Sequence, residues 1–322
     1  MNSIKPTNIV FFGSDQNSAK LLADLIQANY NIELVITKSI KKTGRQQKQN
    51  PVQKMAEQAG LKILTKNKLN SEEDINLFKN ISAQLGILLA YGVIIPEKIL
   101  NLFSLGIINI HPSLLPKYRG ASPIQSVLLN GEKQSGVSIM LLEKEMDAGP
   151  IIAQEKIKID PKDNHETLNQ KLFYLGNKLL LDNLEKYINK KITAHPQDNN
   201  QATYSKIIKK ENGLIDWNNS AEKINNQIRA FYTWPGAYTY FNGKPQHLNK
   251  CRGKLFKIIK ADISDQNTDH QLGKIFLENQ QIAIQTQQGL LYPSIVQIEG
   301  KQKMDITPFS NGQQNFIGTI LK

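Results

Sequence analysis

Cysteine is almost absent from this sequence. Cys251 is the only cysteine among the 322 residues, which excludes an intramolecular disulfide and a metal centre built from clustered cysteines. The histidines outside the motifs discussed below show no metal-ligand spacing either; they are His165, His195, His247 and His270. We therefore expect no bound metal ion.

Long apolar runs and aromatic residues are also scarce. No run approaches the roughly 18 apolar residues that a membrane-spanning helix needs. Aromatic residues make up 7% of the chain and hydrophobic residues 40%, which is enough for packed cores. The first residues, MNSIKPTNIVFFG, enter a strand directly, without the apolar core and cleavage site of a signal peptide. We expect a cytoplasmic protein without a membrane partner, and a monomer.

Acidic residues are outnumbered by basic ones. The sequence holds 40 Lys and Arg against 28 Asp and Glu, so its formal net charge is +12. This excess suits a polyanionic partner, because Lys and Arg displace counterions from phosphates. The alternative is a compositional bias, since the sequence is rich in Lys, Asn and Ile. Residues 38–54 contain six basic residues and no acidic one, and their lack of apolar periodicity predicts a loop up to about Pro51.

Strand and helix patterns alternate over the first 188 residues. Asn8–Gly13 is an apolar strand that turns into a helix, and 85–90 (LGILLA) is a continuous apolar run, as in a parallel strand covered on both faces. The first turn lacks the G-x-G-x-x-G fingerprint, so nothing supports dinucleotide binding. His165–Ile188 is an amphipathic helix. We predict an α/β domain over 1–188, with a Rossmann-like, doubly wound and mostly parallel sheet.

The sequence changes character after a polar stretch at 189–206, which we interpret as an interdomain linker. Ser220 is placed to cap a helix, and short strand-like runs separated by turn signals follow it. The predicted strands are Ala237–Phe241, 254–259, 273–277, 282–286 and 290–296. Short strands at this spacing predict a small OB-like β-barrel over 207–322.

Residues 107–124, IINIHPSLLPKYRGASPI, hold the strongest candidate for a functional site. Pro112 ends the predicted strand because proline cannot donate a backbone hydrogen bond. Asn109 and His111 are two residues apart, so their side chains share a face at the carboxyl end of the strand. Open α/β sheets bind ligands at this edge. An Asn-x-His pair is common at strand ends, however, so the pair alone does not define a site.

Asp147 follows the next predicted strand, GVSIMLL, within the segment EKEMDAGPIIA. It could be an ordinary turn aspartate. If the two strands are neighbours in the sheet, its carboxylate can instead reach His111.

The segments NIHPSLLPKYRGASPIQ and GVSIMLLEKEMDAGPII resemble the formyltetrahydrofolate-dependent formyltransferase family. The pattern IDW…QIRAF…WPGAY resembles the C-terminal domain of the same family, so the resemblance covers nearly the whole chain. It implies that 1–188 is a catalytic domain, that 207–322 binds tRNA and that 10-formyltetrahydrofolate is the co-substrate. The catalytic residues that it implies are Asn109, His111 and Asp147.

Two loops are implied as the folate-binding part of the site. One is the SLLP loop and the other follows the strand at 85–90. The implied residues are Ser113, Leu114, Leu115, Pro116, Tyr91, Gly92, Ile94 and Ile95. For the second loop, hydrophobic packing between loop and helix is the alternative.

The resemblance also implies initiator methionyl-tRNA as the partner. Family members that act on tRNA carry a basic loop, at the position of 38–54, that enters the acceptor arm. The implied tRNA-binding residues are Arg45, Lys41, Lys42 and Lys48. The sequence departs from the family where Ser39-Ile40-Lys41 replaces a proline-rich start. A solvated basic loop without a partner is the alternative.

The implied reaction fits the chemistry of these side chains. An amine that attacks a formyl carbon produces an oxyanion, and Asn109 and a protonated His111 can donate hydrogen bonds to it. Asp147 can orient His111 or take the proton that the amine releases. A formyltransferase acting on a sugar-nucleotide amine, or a formyltetrahydrofolate hydrolase, would use the same residues. A tRNA-binding protein with a vestigial catalytic domain is the alternative from another class.

Overall fold

The structure, a computed structural model, describes residues 7–39, 50–241 and 253–321. Its packing divides the chain into two compact units. The first unit comprises residues 1–120, 135–157 and 171–204, and the second comprises residues 121–134, 158–170 and 205–322. Residues 189–204 belong to the first unit in this grouping and hydrogen bond within it.

In the part of the chain up to residue 188, the described elements alternate between strand and helix as far as residue 111. In the described residues, the strands are β1 Asn8–Gly13, β2 Asn31–Thr37, β3 Ile63–Thr65, β4 Leu85–Leu89, β5 Ile107–His111, β6 Arg119–Gly120, β7 Gln134–Leu141 and β8 Ile151–Lys158. The helices in the same part are α1 Gln16–Gln27, α2 Pro51–Gln58, α3 Glu72–Lys79, α4 Glu97–Leu100, α5 Pro123–Leu129 and α6 His165–Ile188. The bounds of α6 are those that the sequence pattern predicts.

Among the described residues, seven strands form one sheet in the order β3-β2-β1-β4-β5-β7-β8. The strands β1 to β5 pair in parallel, whereas β7 pairs antiparallel with β5. Residues 9–12 of β1 are fully buried, as expected for a central strand covered on both faces. The predicted mostly parallel α/β sheet is confirmed, and the β5–β7 pairing makes the two strands of the candidate site neighbours.

Short polar side chains start the helices that follow β1 and β2. Asp15 accepts a hydrogen bond of 2.8 Å from the backbone N of Ser18, which satisfies a free N–H in the first turn of α1. Asn50 accepts from N of Val52 at 2.9 Å, and Pro51 occupies the first position of α2. These caps fix where each helix leaves the sheet edge.

The described elements after α6 are β9 Tyr204–Ser205, α7 Ala221–Ala230, β10 Ala237–Phe241, β11 Lys254–Ser264, β12 Ile275–Glu278, β13 Gln281–Gln285, β14 Leu290–Ile298, β15 Met304–Asp305 and α8 Ile306–Asn311. The strands β10 to β14 form an antiparallel sheet in the order β10-β11-β14-β13-β12, and β15 pairs with β14. The predicted second domain class, an antiparallel barrel-like β domain, is confirmed. The short β15 and α8 were not anticipated from the sequence.

The second unit packs around phenylalanine rings. Phe256 of β11 is fully buried, and its ring centroid lies 5.2 Å from that of Phe309 and 5.8 Å from that of Phe316. Phe241 of β10 lies 5.5 Å from Phe316. Rings at these separations bury large apolar areas and pack in tilted or edge-to-face geometry. In the described part of the chain, none of the helices combines the length and the apolar character needed to cross a membrane.

Candidate active site

The end of β5 carries two buried polar side chains. Asn109 is 8% exposed and His111 is 4% exposed. Because the two residues are separated by one position in a strand, their side chains share a face of the sheet. The loop between β7 and β8 brings Asp147 to the same place, with Oδ1 3.6 Å from Nδ1 of His111. The structure therefore brings His111 and Asp147 together, as the sequence predicts for neighbouring strands.

Both ring nitrogens of His111 face oxygen atoms. Nε2 lies 3.0 Å from the carbonyl oxygen of Tyr118, and because a carbonyl only accepts, Nε2 is the donor in this hydrogen bond. Nδ1 faces the carboxylate of Asp147 at 3.6 Å, which is longer than a direct hydrogen bond. Donation from Nε2 to a substrate oxygen therefore requires His111 to release Tyr118.

Asp147 lies in a turn with a left-handed backbone. Its φ is +53°, a conformation that costs an L-residue roughly 1–2 kcal/mol and that Asp adopts more readily than most residues. Its Oδ2 accepts a hydrogen bond of 2.8 Å from the backbone N of Gly120. Gly149 leaves no room for a side chain, since a Cβ atom there would lie 1.9 Å from the carbonyl oxygen of Leu141. The turn thus holds the carboxylate in one orientation.

Two residues that the sequence analysis did not single out support this turn, Gln197 directly and Arg119 through Gln197. Nε2 of Gln197 donates to the carbonyl oxygens of Asp147 at 2.8 Å and Gly149 at 2.7 Å. Oε1 of Gln197 accepts from the buried guanidinium of Arg119. Gln197 lies in a polar stretch without periodicity, so no sequence pattern marks it. Arg119 lies within the segment KYRGASP of the family motif, and this is the one sequence feature that points to Arg119.

The SLLP loop is tied to β7 and β8 by hydrogen bonds. Ser138 Oγ donates to the carbonyl oxygen of Ser113 at 2.7 Å and accepts from N of Leu115 at 3.0 Å. Gln154 Nε2 donates to the carbonyl oxygen of Leu115 at 2.6 Å and to Ser138 Oγ at 2.8 Å. The sequence does not mark Ser138 or Gln154, because a lone polar residue on a strand reads as solvent-facing. Together they give the loop one backbone conformation.

The predicted ligand residues of the SLLP loop differ in exposure. Ser113 and Leu115 are buried, and Ser113 Oγ is already bonded to the carbonyl oxygen of Lys117 at 2.7 Å. Leu114 and Pro116 are partly exposed. Only the last two present side-chain surface to a ligand from this loop.

The second predicted ligand loop shows the same division. Tyr91 is fully buried and Ile95 is 7% exposed, whereas Gly92 is exposed and Ile94 is 82% exposed. The Tyr91 hydroxyl donates to the carbonyl oxygen of Lys66 at 3.0 Å. Burial raises the pKa of Tyr91, so the phenol stays protonated as this donor. A ligand contact at Tyr91 or Ile95 would have to use the main chain.

The four predicted tRNA-binding residues, Arg45, Lys41, Lys42 and Lys48, lie outside the described residues. The described positions on either side of them are connected. Nδ2 of Asn50 donates to the carbonyl oxygen of Lys38 at 2.9 Å, so these two described residues lie next to each other.

The fold and the residues at the end of β5 define a class of protein. A family model described as "Formyl transferase" matches residues 7–184, and one described as "Formyl transferase, C-terminal domain" matches residues 207–314. The chain belongs to the formyl transferase family. The resemblance carried by the sequence motifs is confirmed.

Relatives with a particular activity match almost the whole chain. It is 37% identical over 310 residues to the methionyl-tRNA formyltransferase of Thermodesulfovibrio yellowstonii, a match that covers 96% of each chain. It is 38% identical over 310 residues to that of Lactobacillus acidophilus, covering 95% of this chain and 96% of that one. Its fold is similar to that of an N-formyltransferase from Helicobacter canadensis in complex with folinic acid and dTDP-3-aminofucose. That structure has a TM-score of 0.67 at 20% identity, covering 90% of this chain and 99% of that chain.

Proposed function

We propose that this chain transfers the formyl group of 10-formyltetrahydrofolate to the α-amino group of methionine carried by initiator tRNA, for the initiation of translation. The observation that carries the proposal is the Asp147 carboxylate placed against His111, beside Asn109 at the end of β5. It occurs in a chain that matches methionyl-tRNA formyltransferases over 96% of its length.

We assign to Asn109 the stabilisation of the oxyanion that forms during the reaction. Attack of the amine on the formyl carbon places negative charge on the formyl oxygen, and an amide N–H aimed at that oxygen stabilises charge that exists only in the transition state. Asn109 is buried, where a donor acts in a lower dielectric than in water. One such donor contributes about 3–4 kcal/mol. The amine itself is the nucleophile, so the reaction requires no serine or cysteine.

Asp147 and His111 are assigned to proton handling and orientation. Gly120 holds Oδ2 of Asp147, which leaves Oδ1 facing the imidazole. From this position Asp147 orients the ring or accepts the proton that the attacking amine releases. His111 supplies a second donor to the oxyanion once Nε2 leaves the carbonyl of Tyr118.

The folate co-substrate is assigned to the two loops near this site. The apolar side chain of Ile94 is uncovered, which suits a flat ring system. Leu114, Pro116 and Gly92 add surface that is free to contact a ligand. The buried members Ser113, Leu115, Tyr91 and Ile95 support the loops and offer main-chain groups.

The tRNA is assigned to the basic residues. The net charge of +12 favours a phosphate backbone, and binding to phosphates weakens as salt rises. Arg45, Lys41, Lys42 and Lys48 are proposed to contact the acceptor arm. Comparing Arg45→Ala with a variant that replaces the three lysines by alanine would separate one specific contact from general charge.

The test is formyl transfer from 10-formyltetrahydrofolate to three acceptors in parallel: charged initiator Met-tRNA, charged elongator Met-tRNA and a UDP-aminosugar. Strong preference for the initiator supports the proposal. Turnover only on the sugar nucleotide, or only hydrolysis to formate, would retain the folate site and overturn the partner. No turnover on any acceptor would favour a binding protein with a vestigial site.

A further inference from the structure

The side-chain amide of Gln197 bridges two groups that the chain brings together from distant positions. Its Nε2 donates to the carbonyl oxygens of Asp147 at 2.8 Å and Gly149 at 2.7 Å. Its Oε1 accepts from Nε of Arg119 at 3.1 Å and from Nη2 of the same residue at 2.8 Å. One amide therefore connects the turn that carries Asp147 with a guanidinium that is 1% exposed.

Arg119 decides which way this amide points. A guanidinium only donates, so the oxygen of Gln197 must face Arg119 and the nitrogen must face the turn. Nη2 of Arg119 also donates to Oδ1 of Asn199 at 2.8 Å, which places the guanidinium between two acceptors of one segment. A buried guanidinium keeps such partners because leaving its donors unsatisfied is costly.

The segment that carries Gln197 is itself anchored. Residues Ile151 and His195 exchange two backbone hydrogen bonds, at 2.8 and 2.9 Å, before Gln197. After it, the carbonyl oxygen of Thr203 accepts from N of Arg119 at 2.9 Å, and Oγ1 of Thr203 accepts from N of Tyr118 at 2.9 Å. Gln197 therefore projects from a backbone segment that hydrogen bonds hold in place on both sides of it.

The turn at Asp147 is a place where such a support matters. The left-handed backbone at φ +53° persists only where surrounding contacts determine it. Gln197 binds the carbonyls of Asp147 and Gly149, and Gly120 binds the Asp147 carboxylate on its Oδ2 side. Without Gln197, both carbonyls lose a donor and the turn has other conformations available. The position of Oδ1 relative to His111 would then vary.

We propose that Gln197, with its amide oriented by Arg119, is a positioning residue that holds Asp147 in place for formyl transfer; this rests on the function proposed above. Gln197 is in that case the residue through which the segment 189–204 supports the active site. The effect is expected on the chemical step, because Gln197 bonds to the turn that carries Asp147.

The test uses single-turnover formyl transfer from 10-formyltetrahydrofolate to initiator Met-tRNA, with the full chain. Gln197→Glu keeps the size and the acceptor for Arg119 but removes both N–H donors, and Gln197→Ala removes the whole bridge. Gln201→Ala is the matched control, because Gln201 lies in the same segment and donates only to Asp198 among the contacts described. We expect a 10- to 100-fold lower single-turnover rate for both Gln197 variants, with the half-saturating tRNA concentration unchanged. Gln197→Glu should keep the wild-type melting temperature, because it keeps an acceptor for Arg119. Gln197→Ala should also lower the melting temperature, because the buried guanidinium loses that acceptor. Gln201→Ala should match the wild type.

A double-mutant cycle separates positioning from general structural damage. If Gln197 acts through Asp147, then Gln197→Ala causes no further loss in an Asp147→Ala background. Equal losses in both backgrounds, or wild-type rates in both Gln197 variants, would overturn the positioning role. Full activity of Asp147→Ala alone would instead overturn the catalytic assignment of the proposed function, so the two failures are distinguishable.

Discussion

The end of β5 and the interior of the second unit bury side chains of opposite character. At the end of β5, Asn109 and His111 are buried and His111 faces both a carbonyl and a carboxylate. In the second unit, Phe256 is buried among Phe241, Phe309 and Phe316.

The difference shows what each region contributes. Burying a polar group costs free energy unless hydrogen bonds replace its water, so a polar strand end stabilises the fold little. Burying phenylalanine rings stabilises the fold directly. Substitutions at the end of β5 should therefore change activity more than stability, and substitutions in the Phe256 cluster should do the reverse.

Phe256→Ala should produce the largest change in stability. Removing a fully buried ring that contacts other rings should lower the free energy of unfolding by about 3–5 kcal/mol. Denaturant unfolding measures this value, and the formylation rate at a temperature where the variant is folded should stay near that of the wild type. Phe256→Leu keeps most of the volume and should lose less. A rate loss in a fully folded Phe256→Ala would contradict the division between the two regions.

Asn109→Ala should produce the largest change in rate. We expect a loss of about 10²–10³-fold in single-turnover formyl transfer, since one oxyanion donor is removed. The melting temperature should change little, because the substitution removes a buried polar group along with its need for partners. Asn76→Ala, on the exposed face of α3, is the control. A large drop in stability with an unchanged rate would make Asn109 a structural residue.

Ser138→Ala tests a buried hydroxyl that holds the SLLP loop beside the candidate active site. It removes the acceptor used by N of Leu115 and by Gln154, which should lower the free energy of unfolding by about 1–3 kcal/mol. Because the SLLP loop loses its hydrogen bonds to Ser138, the affinity for 5-formyltetrahydrofolate should also fall. Calorimetry measures this affinity. Ser126→Ala, whose hydroxyl bonds to the carbonyl of Ser122, is the control. Unchanged folate affinity would show that the hydrogen bonds of Ser138 to the SLLP loop do not affect folate binding.

Asp74→Asn should have the smallest effect and a defined pH dependence. Burial would raise the pKa of Asp74, but hydrogen bonds from Lys66 and Ser71 outweigh it and hold the pKa below the ordinary value of 3.8. A depressed pKa contributes stability that is present above the unfolded-state pKa and is lost as pH falls through the folded-state pKa.

At neutral pH, Asp74→Asn should therefore be less stable than the wild type by about 1 kcal/mol, roughly the value of a helix cap. The difference should shrink as the pH falls below about 4, where the wild-type carboxylate takes up its proton. Unfolding at pH 7 and pH 3 measures it, with the exposed Glu73→Gln as control. A stability difference that grows in acid would contradict a lowered pKa for Asp74 in the folded state.

Much of the fold and part of the site could be predicted because their signals are local. The amphipathic apolar spacing over residues 165–188 predicts one long helix, and the observed bounds of α6, His165–Ile188, agree with the prediction. Pro112 ends β5 directly after His111. The short β15 and α8 were missed because two strand residues and six helical ones carry too little periodicity.

The sequence by itself determined that Asn109 and His111 lie together at one strand end, because side chains alternate along a strand and Pro112 stops it. Only the tertiary structure decided how Asp147 is held. Gln197 lies 50 residues from Asp147 along the chain and 78 from Arg119. Their hydrogen bonds require backbone positions set by the whole sheet and by the return of residues 189–204 to the first unit. A polar residue gains such a role from long-range packing, and no local pattern records it.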